Sequence, residues 1–200
     1  MSEQTINYPD NVEPNVFTQD ELGWVPWLPP LDESELTAKH WAGLVDASRA
    51  KSPYFLLLAR DPDILGARTR TDKDIFYNVK TGLPRAEREI AAAAASRVNG
   101  CIFCASVHSR FATQHSKRND DVNQLLEKGV AADIDPAWNA IIAASAALSE
   151  TPTSFSQENI HQLIDAGFED DEIVDVINGA AFFNWANRLM LSLGEPTLPN

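Results

Sequence analysis

Apolar residues recur at helical spacing along most of the chain, and short polar turns separate the repeats. Capping residues and prolines mark where the predicted helices begin and end. These signals predict helices from Ser34, from Asp61 to Tyr77, from Pro84 to Asn99, from Cys101 to about Lys117, from Val122 to Glu127, from Asp135, from Ser156 to Gly167 and from Asp170 to about Gly194. We find no convincing β-strand pattern, and we therefore predict an all-α fold.

The N-terminal segment has a different composition, rich in Pro, Asn, Asp and aromatic residues, with Trp24 and Trp27 among its prolines. We predict an extended N-terminal arm over residues 1–31 and one all-α domain over residues 32–200. The arm either packs on its own core or reaches a neighbouring subunit, because two exposed tryptophans would form an unfavourable apolar patch.

Length and charge narrow the class of protein. A chain of 200 residues is long enough for one ordinary domain. Its 16 Lys and Arg against 29 Asp and Glu give a net charge of -13, which repels phosphate backbones and anionic lipids. No leader pattern and no run of roughly 18 apolar residues is present. We therefore predict a cytoplasmic protein that binds neither nucleic acid nor membranes.

The two cysteines of the chain, Cys101 and Cys104, lie three residues apart. In a reducing compartment such a pair is typical of redox or metal chemistry. Cys101 is predicted at a helix start, where the helix dipole favours a thiolate, so electrostatics alone predicts Cys101 as the more acidic thiol. His108 follows Cys104 by four residues and lies on the same helix face. The pattern supplies a thiolate, a partner thiol and a base.

A carboxylate can be placed beside these residues by geometry. If the helices on either side of Gly100 fold back on each other, residues at similar distances from the turn face one another, at about 1.5 Å rise per residue. Glu89 is then opposite His108. Glu87 lies in the first turn after Pro84, where a carboxylate commonly serves the helix dipole or a cap, and we assign it a structural role.

Other interpretations of these residues remain open. Cys101, Cys104 and His108 could hold zinc, with Glu89 or His115 as the fourth ligand. The cysteines could also be purely structural. We interpret His115 as a surface or outer-shell residue and His40 and His161 as surface residues. The polar group Asn184 to Arg188 forms either a buried network at a subunit contact or the lining of a pocket above the thiols.

The stretch from Leu83 to His108, "LPRAEREIAAAAASRVNGCIFCASVH", resembles a known signature. It is that of the alkylhydroperoxidase D-like branch of the carboxymuconolactone decarboxylase superfamily, a Glu twelve residues before the first cysteine of C-x-x-C-x-x-x-H. Glu89, Cys101, Cys104 and His108 match all four positions. The segments "SPYFLLLARDP", "DKDIFYN" and "AAFFNWANRLMLSLGEP" look like those of its peroxidase-related subgroup.

The resemblance implies an all-α thiol peroxidase assembled as trimers or hexamers, without metal or other cofactor. By this likeness Cys104 attacks a hydroperoxide and becomes a sulfenic acid, and Cys101 closes the disulfide. Glu89 and His108 form the proton relay, through water. An external dithiol, dihydrolipoamide-like or thioredoxin-like, then reduces the pair.

One position departs from the family pattern. Members linked to a dedicated reductase carry a histidine just before the second cysteine, where this chain has Phe103, so their particular relay and reducing partner are not implied. Decarboxylation of a muconolactone is disfavoured as well, because the decarboxylase branches lack the C-x-x-C pair. The alternative function is a redox-sensing or zinc-holding binding module without turnover.

Overall fold

Nine helices account for most of residues 5–199, which are the residues that the computed structural model describes. They are α1 (Ala38–Leu44), α2 (Pro53–Leu58), α3 (Pro62–Tyr77), α4 (Arg85–Val98), α5 (Ile102–Ser116), α6 (Asn119–Lys128), α7 (Pro136–Ser149), α8 (Gln157–Asp165) and α9 (Asp170–Leu193). The predicted all-α class is confirmed. The outermost residues of the two predicted segments, 1–4 and 200, lie outside the described residues.

Helix starts follow the capping chemistry of the sequence. Asp61 accepts a hydrogen bond from the Ile64 N–H, and Pro62 occupies the first position of α3. Asp135 caps α7 in the same way, by accepting from the Trp138 N–H. Both helices begin at their Asp-Pro pairs, as the sequence predicted.

The segment that follows Ser34 is less regular than predicted. Instead of one helix it contains α1 between two short 3-10 turns, Glu33–Glu35 and Ala47–Lys51. The side chains of Thr37 and Asp46 each accept a backbone N–H group and cap the start of a new helical segment. The segment therefore does not form one continuous helix. The short helix α2 was not predicted at all.

The expectation of no strand was wrong. Strand β1 (Gly23–Pro26) pairs antiparallel with β2 (Gly194–Thr197). Four-residue strands containing Gly and Pro are too short to show an alternating pattern. Gly194 allows the close approach, since a Cβ there would lie 2.2 Å from the Val25 carbonyl oxygen.

The pairing of β1 with β2 holds the arm against its own chain. Trp24 is only 7 % exposed and packs edge-on against Tyr54, with ring centroids 5.4 Å apart, whereas Trp27 is 36 % exposed. Of the two tryptophans that were expected to need a cover, Trp24 has one within the chain and Trp27 remains partly exposed.

Helix α4 is central and packs against α5, α7 and α9. Its alanines 91–95 are buried and allow these helices to approach closely, as the alanine pattern predicted. On one side lies a core cluster around Trp138 and Ile141, and on the other a cluster that includes both cysteines. Among residues 5–199, no helix combines the length and apolar character of a membrane span.

Candidate active site

The turn between α4 and α5 positions the cysteines. Gly100 adopts φ = +76°, and the Cys101 N–H donates to the Ser96 carbonyl at 3.0 Å. This is a Schellman-type helix end, which confirms the left-handed cap predicted at Asn99-Gly100. Cys101 is consequently the N-cap residue of α5, and Cys104 lies in the first turn of that helix.

The two thiols lie side by side and are buried. Their Sγ atoms are 2.7 Å apart, and the pair is not bonded in this structure. A disulfide requires about 2.05 Å between the sulfurs, so a small movement closes it. The arrangement suits a reversible dithiol.

The two thiols differ in acidity, in the order opposite to the simple dipole expectation. Burial opposes ionisation of Cys104, but hydrogen bonds from Cys101 and Asn187 and the charge of Arg68 lower its pKa. The pKa of Cys101 is raised well above its ordinary value by the hydrogen bond shared with Cys104 and by burial. The expectation that Cys101 is the more acidic thiol was therefore wrong, because local hydrogen bonds and Arg68 outweigh the helix dipole.

A buried polar network supports the thiols. Asn187, on α9, donates to Ser96 Oγ at 3.0 Å and accepts from Asn99 Nδ2 at 3.1 Å. It also lowers the pKa of both cysteines by hydrogen bonding, although burial is the larger influence on Cys104 and the shared thiol hydrogen bond on Cys101. The sequence analysis singled out the polar group from Asn184 to Arg188. Within it, Asn187 is fully buried within the chain, whereas Arg188 is exposed and donates to Asn184.

Glu89 and His108 face each other as the helical geometry predicted. Nδ1 of His108 lies 2.5 Å from Oε2 of Glu89, while Oε1 of Glu89 accepts from Nε of Arg85 at 2.5 Å. Nδ1 is therefore the ring nitrogen that the carboxylate holds. The other ring nitrogen, Nε2, is the one that Glu89 does not hold.

Arg85 is part of this network and was missed from the sequence. Its position four residues before Glu89, on the same face of α4, was the available signal. Its guanidinium also donates to the Phe76 carbonyl at 2.6 Å and lies over the Tyr77 ring at 4.2 Å. Arg85 thereby fixes the orientation of the carboxylate that holds His108.

A cavity of about 560 Å³ opens above these residues. Cys104, His108 and Glu89 line it, whereas Cys101 does not. Much of its wall consists of aromatic rings, among them Trp24, Tyr54, Phe55, Phe76, Phe103 and Phe183. Phe103, at the position that departs from the family pattern, therefore contributes an apolar wall in place of a proton-transfer group.

The remaining candidates lie elsewhere. Oε1 of Glu87 accepts from Trp138 Nε1 at 3.3 Å, in keeping with a structural role. His115 and His161 are exposed, and Nδ1 of His40 accepts the Thr37 N–H in a capping interaction. Within the described range 5–199, no three His, Cys, Asp or Glu side chains are grouped so as to hold a metal ion, so the ligand set of the zinc hypothesis does not come together.

One segment of the chain matches a family model. Residues 62–150, from the start of α3 through α7, are similar to the carboxymuconolactone decarboxylase family. The matched segment contains Glu89, both cysteines and His108. A search of the curated proteins gave no match.

Several solved structures share this fold. A peroxidase-related protein from Ralstonia eutropha, described as an alkylhydroperoxidase AhpD core, has TM-score 0.69 and 23 % identity over 82 % of this chain and 88 % of its own. The debrominase Bmp8 has TM-score 0.67 and 19 % identity over 82 % and 88 %. A peroxidase-related protein from Silicibacter has TM-score 0.63 and 24 % identity over 71 % and 74 %. At these identities the likeness establishes the fold.

Proposed function

We propose that the protein is a two-cysteine peroxidase that reduces organic hydroperoxides. The observation that carries this proposal is the pair of adjacent thiols, of which the one with the lowered pKa lines the cavity beside His108. A thiolate is the reactive form of cysteine toward peroxides. The likeness of residues 62–150 to the carboxymuconolactone decarboxylase family, together with the resemblance of Leu83 to His108 to its alkylhydroperoxidase D-like branch, supports the same chemistry.

The cycle has three balanced steps. The Cys104 thiolate attacks the terminal oxygen of R–O–OH; the O–O bond breaks, and R–O⁻ takes a proton and leaves as alcohol. Cys101 then attacks the resulting sulfenic acid, releasing water and forming the Cys101–Cys104 disulfide. An external dithiol reduces that disulfide by thiol–disulfide exchange and becomes a disulfide itself.

His108 and Glu89 serve the proton transfers of this cycle. Nε2 of His108 accepts the thiol proton and returns it to the leaving alkoxide, directly or through water. Glu89, held by Arg85, keeps the ring oriented with Nδ1 protonated. The reverse assignment of the cysteines is disfavoured because Cys101 does not line the cavity and its pKa is raised.

The test uses the reduced protein and one equivalent of cumene hydroperoxide. We expect the loss of both free thiols, a mass decrease of two hydrogen atoms, a Cys101–Cys104 peptide link on mapping, and one equivalent of the alcohol. Added dihydrolipoamide then supports turnover. Intact thiols after peroxide treatment would overturn the proposal, and a disulfide without turnover by any dithiol would favour the redox-sensor alternative.

A second candidate reaction is reductive dehalogenation of an aromatic halide. The aromatic walls of the cavity favour it, together with the structural likeness to Bmp8, which has also been solved with 2,3,4-tribromopyrrole at TM-score 0.65 and 19 % identity. The balance uses the same dithiol: the carbon–halogen bond becomes carbon–hydrogen, hydrogen halide leaves, and the disulfide forms. Halide release from a bromopyrrole, measured beside alcohol release from cumene hydroperoxide, separates the two reactions.

We also propose that the enzyme is a homo-oligomer in multiples of three, located in the cytoplasm. Exposed apolar side chains along α9, Val174, Trp185 and Leu191, support an interface on that helix. Sedimentation at micromolar concentration checks the assembly, and a monomer there would contradict it.

A further inference from the structure

The cavity contains a buried cation whose N–H groups take no part in the proposed cycle. Arg68, on α3, is 7 % exposed and lines the cavity. Its Nε and Nη1 atoms are buried and form no hydrogen bond. Buried guanidinium N–H groups normally have partners, since leaving one without a partner costs about 1–3 kcal/mol.

The carboxylates around the cavity do not neutralise Arg68. Asp72 lies one helical turn further along α3, but its Oδ2 is bound to Arg49 Nη2 at 3.3 Å. Glu89 is held by Arg85 and His108. Glu21 lines the cavity from the arm, where it is exposed to solvent.

Three aromatic rings lie around the guanidinium of Arg68. They interact with its charge and do not accept hydrogen bonds from its Nε and Nη1 atoms. The guanidinium carbon lies 5.7 Å from the ring centroid of Tyr54, 5.6 Å from that of Phe55 and 5.3 Å from that of Phe182. These are cation–π distances, which stabilise the charge in an apolar wall. They leave the donor edges of the guanidinium for another group.

Tyr54 adds a second donor beside Arg68. Its hydroxyl is buried and forms no hydrogen bond, and the residue is 3 % exposed. Burial raises the pKa of Tyr54 to about 12, so the hydroxyl keeps its proton at neutral pH. A guanidinium and a phenol that both lack acceptors form a site for an oxyanion.

The size and walls of the cavity indicate what carries that oxyanion. A volume of about 560 Å³ lies in the range of sites for organic ligands of moderate size and far exceeds the needs of hydrogen peroxide. Its aromatic walls suit a carbon skeleton. One ligand can thus occupy the apolar walls, the donor pair and the thiol together.

We propose that Arg68 and Tyr54 bind a carboxylate on an organic hydroperoxide whose carbon skeleton fills the aromatic cavity next to Cys104. This inference rests on the proposed peroxidase function, for which it specifies the substrate class: acidic organic hydroperoxides rather than neutral ones or hydrogen peroxide. Arg68 and Tyr54 bind the carboxylate, which takes no part in the reaction of the hydroperoxide with Cys104.

The test compares cumene hydroperoxide with its para-carboxylate derivative in single-turnover oxidation of Cys104. We expect the acidic substrate to react about tenfold to a hundredfold faster at low concentration, the range expected for hydrogen bonds to a charged group. Arg68→Met removes this preference, Arg68→Lys restores part of it, and Tyr54→Phe reduces it. Lys51→Met, which removes an exposed cation at the rim, keeps the preference.

Two outcomes overturn this proposal. One is equal reactivity of the two substrates with the unmodified protein. The other is an Arg68→Met protein that reacts more slowly with both substrates by the same factor and has a raised Cys104 pKa. Arg68 would then act on the thiolate alone.

A binding measurement separates failure of this inference from failure of the peroxidase proposal. Calorimetry compares the reduced protein with 4-isopropylbenzoate and with the neutral 4-isopropylbenzamide. Tighter binding of the acid that is lost in Arg68→Met supports the anion site even if no hydroperoxide is consumed. Equal binding of both compounds, with hydroperoxide still consumed, rules out the anion site and leaves the peroxidase proposal intact.

Discussion

Two buried arginines differ in the partners that the chain gives them. Arg88, on α4, is 3 % exposed and donates to the carbonyls of Leu83, Ile75 and Thr81 and to Asp175. Arg68, on α3, is nearly as buried, yet two of its nitrogens have no hydrogen-bond partner. A buried cation with all of its partners supplied by the chain stabilises the fold. A buried cation left without them is available to a ligand.

The largest expected effect concerns Glu89 on α4 and its partner His108 on α5. Glu89→Gln and His108→Ala are expected to slow the first oxidation of Cys104 by about 100-fold to 10,000-fold, the usual loss when acid–base assistance is removed and the nucleophile remains. Stopped-flow measurement with cumene hydroperoxide checks this.

Glu87→Gln is the matched control for that comparison. It should change the rate little, because the Gln carbonyl can still accept from Trp138 Nε1 and the side chain at this position bonds to Trp138 instead of to the residues beside the thiols. A Glu87 variant as slow as the Glu89 variant would contradict the different roles assigned to the two glutamates.

The second effect is on stability. Arg88→Met removes the guanidinium from three carbonyls and from Asp175, which keeps only the Leu83 N–H as a donor, and should lower the free energy of unfolding by about 3–5 kcal/mol. Arg68→Met removes no hydrogen bond through Nε or Nη1 and should cost less than about 1 kcal/mol. Urea denaturation measures both. A larger loss for Arg68→Met than for Arg88→Met would contradict the assignment of Arg68 to ligand binding.

The smallest effect concerns Asn187. Replacing it with Leu removes a hydrogen bond that lowers the Cys104 pKa, so that pKa should rise. The inflection of iodoacetamide alkylation should therefore move to higher pH, and alkylation at neutral pH should slow. Asn184→Leu, on the same helix but bonded to Arg188, should leave the inflection in place.

The regular helices could be predicted because Asp-Pro pairs, capping residues and Gly100 act through their immediate neighbours. The pairing of Glu89 with His108 could also be predicted, since two helices joined by a tight turn bring fixed positions together. Two of the failures involve distant residues: β1 pairs with β2 from the other end of the chain, and packing of α3 against the rest of the core brings Arg68 to the same cavity as Cys104. No local spacing encodes those contacts.

The relative acidity of the cysteines shows the same limit. A helix start predicts an acidic thiol at Cys101 by a local rule. The residues that reverse the order, Arg68 and Asn187, come from α3 and α9, and their effect depends on the folded chain.

The most direct test of the account is which sulfur is oxidised first. The single variants Cys101→Ser and Cys104→Ser are each treated with one equivalent of cumene hydroperoxide, and a dimedone adduct is located by peptide mapping. We expect Cys101→Ser to consume one equivalent and carry a sulfenic acid at Cys104, trapped because its resolving thiol is absent. We expect Cys104→Ser to consume none. A sulfenic acid at Cys101 in the Cys104→Ser protein would reverse the two roles and contradict the account.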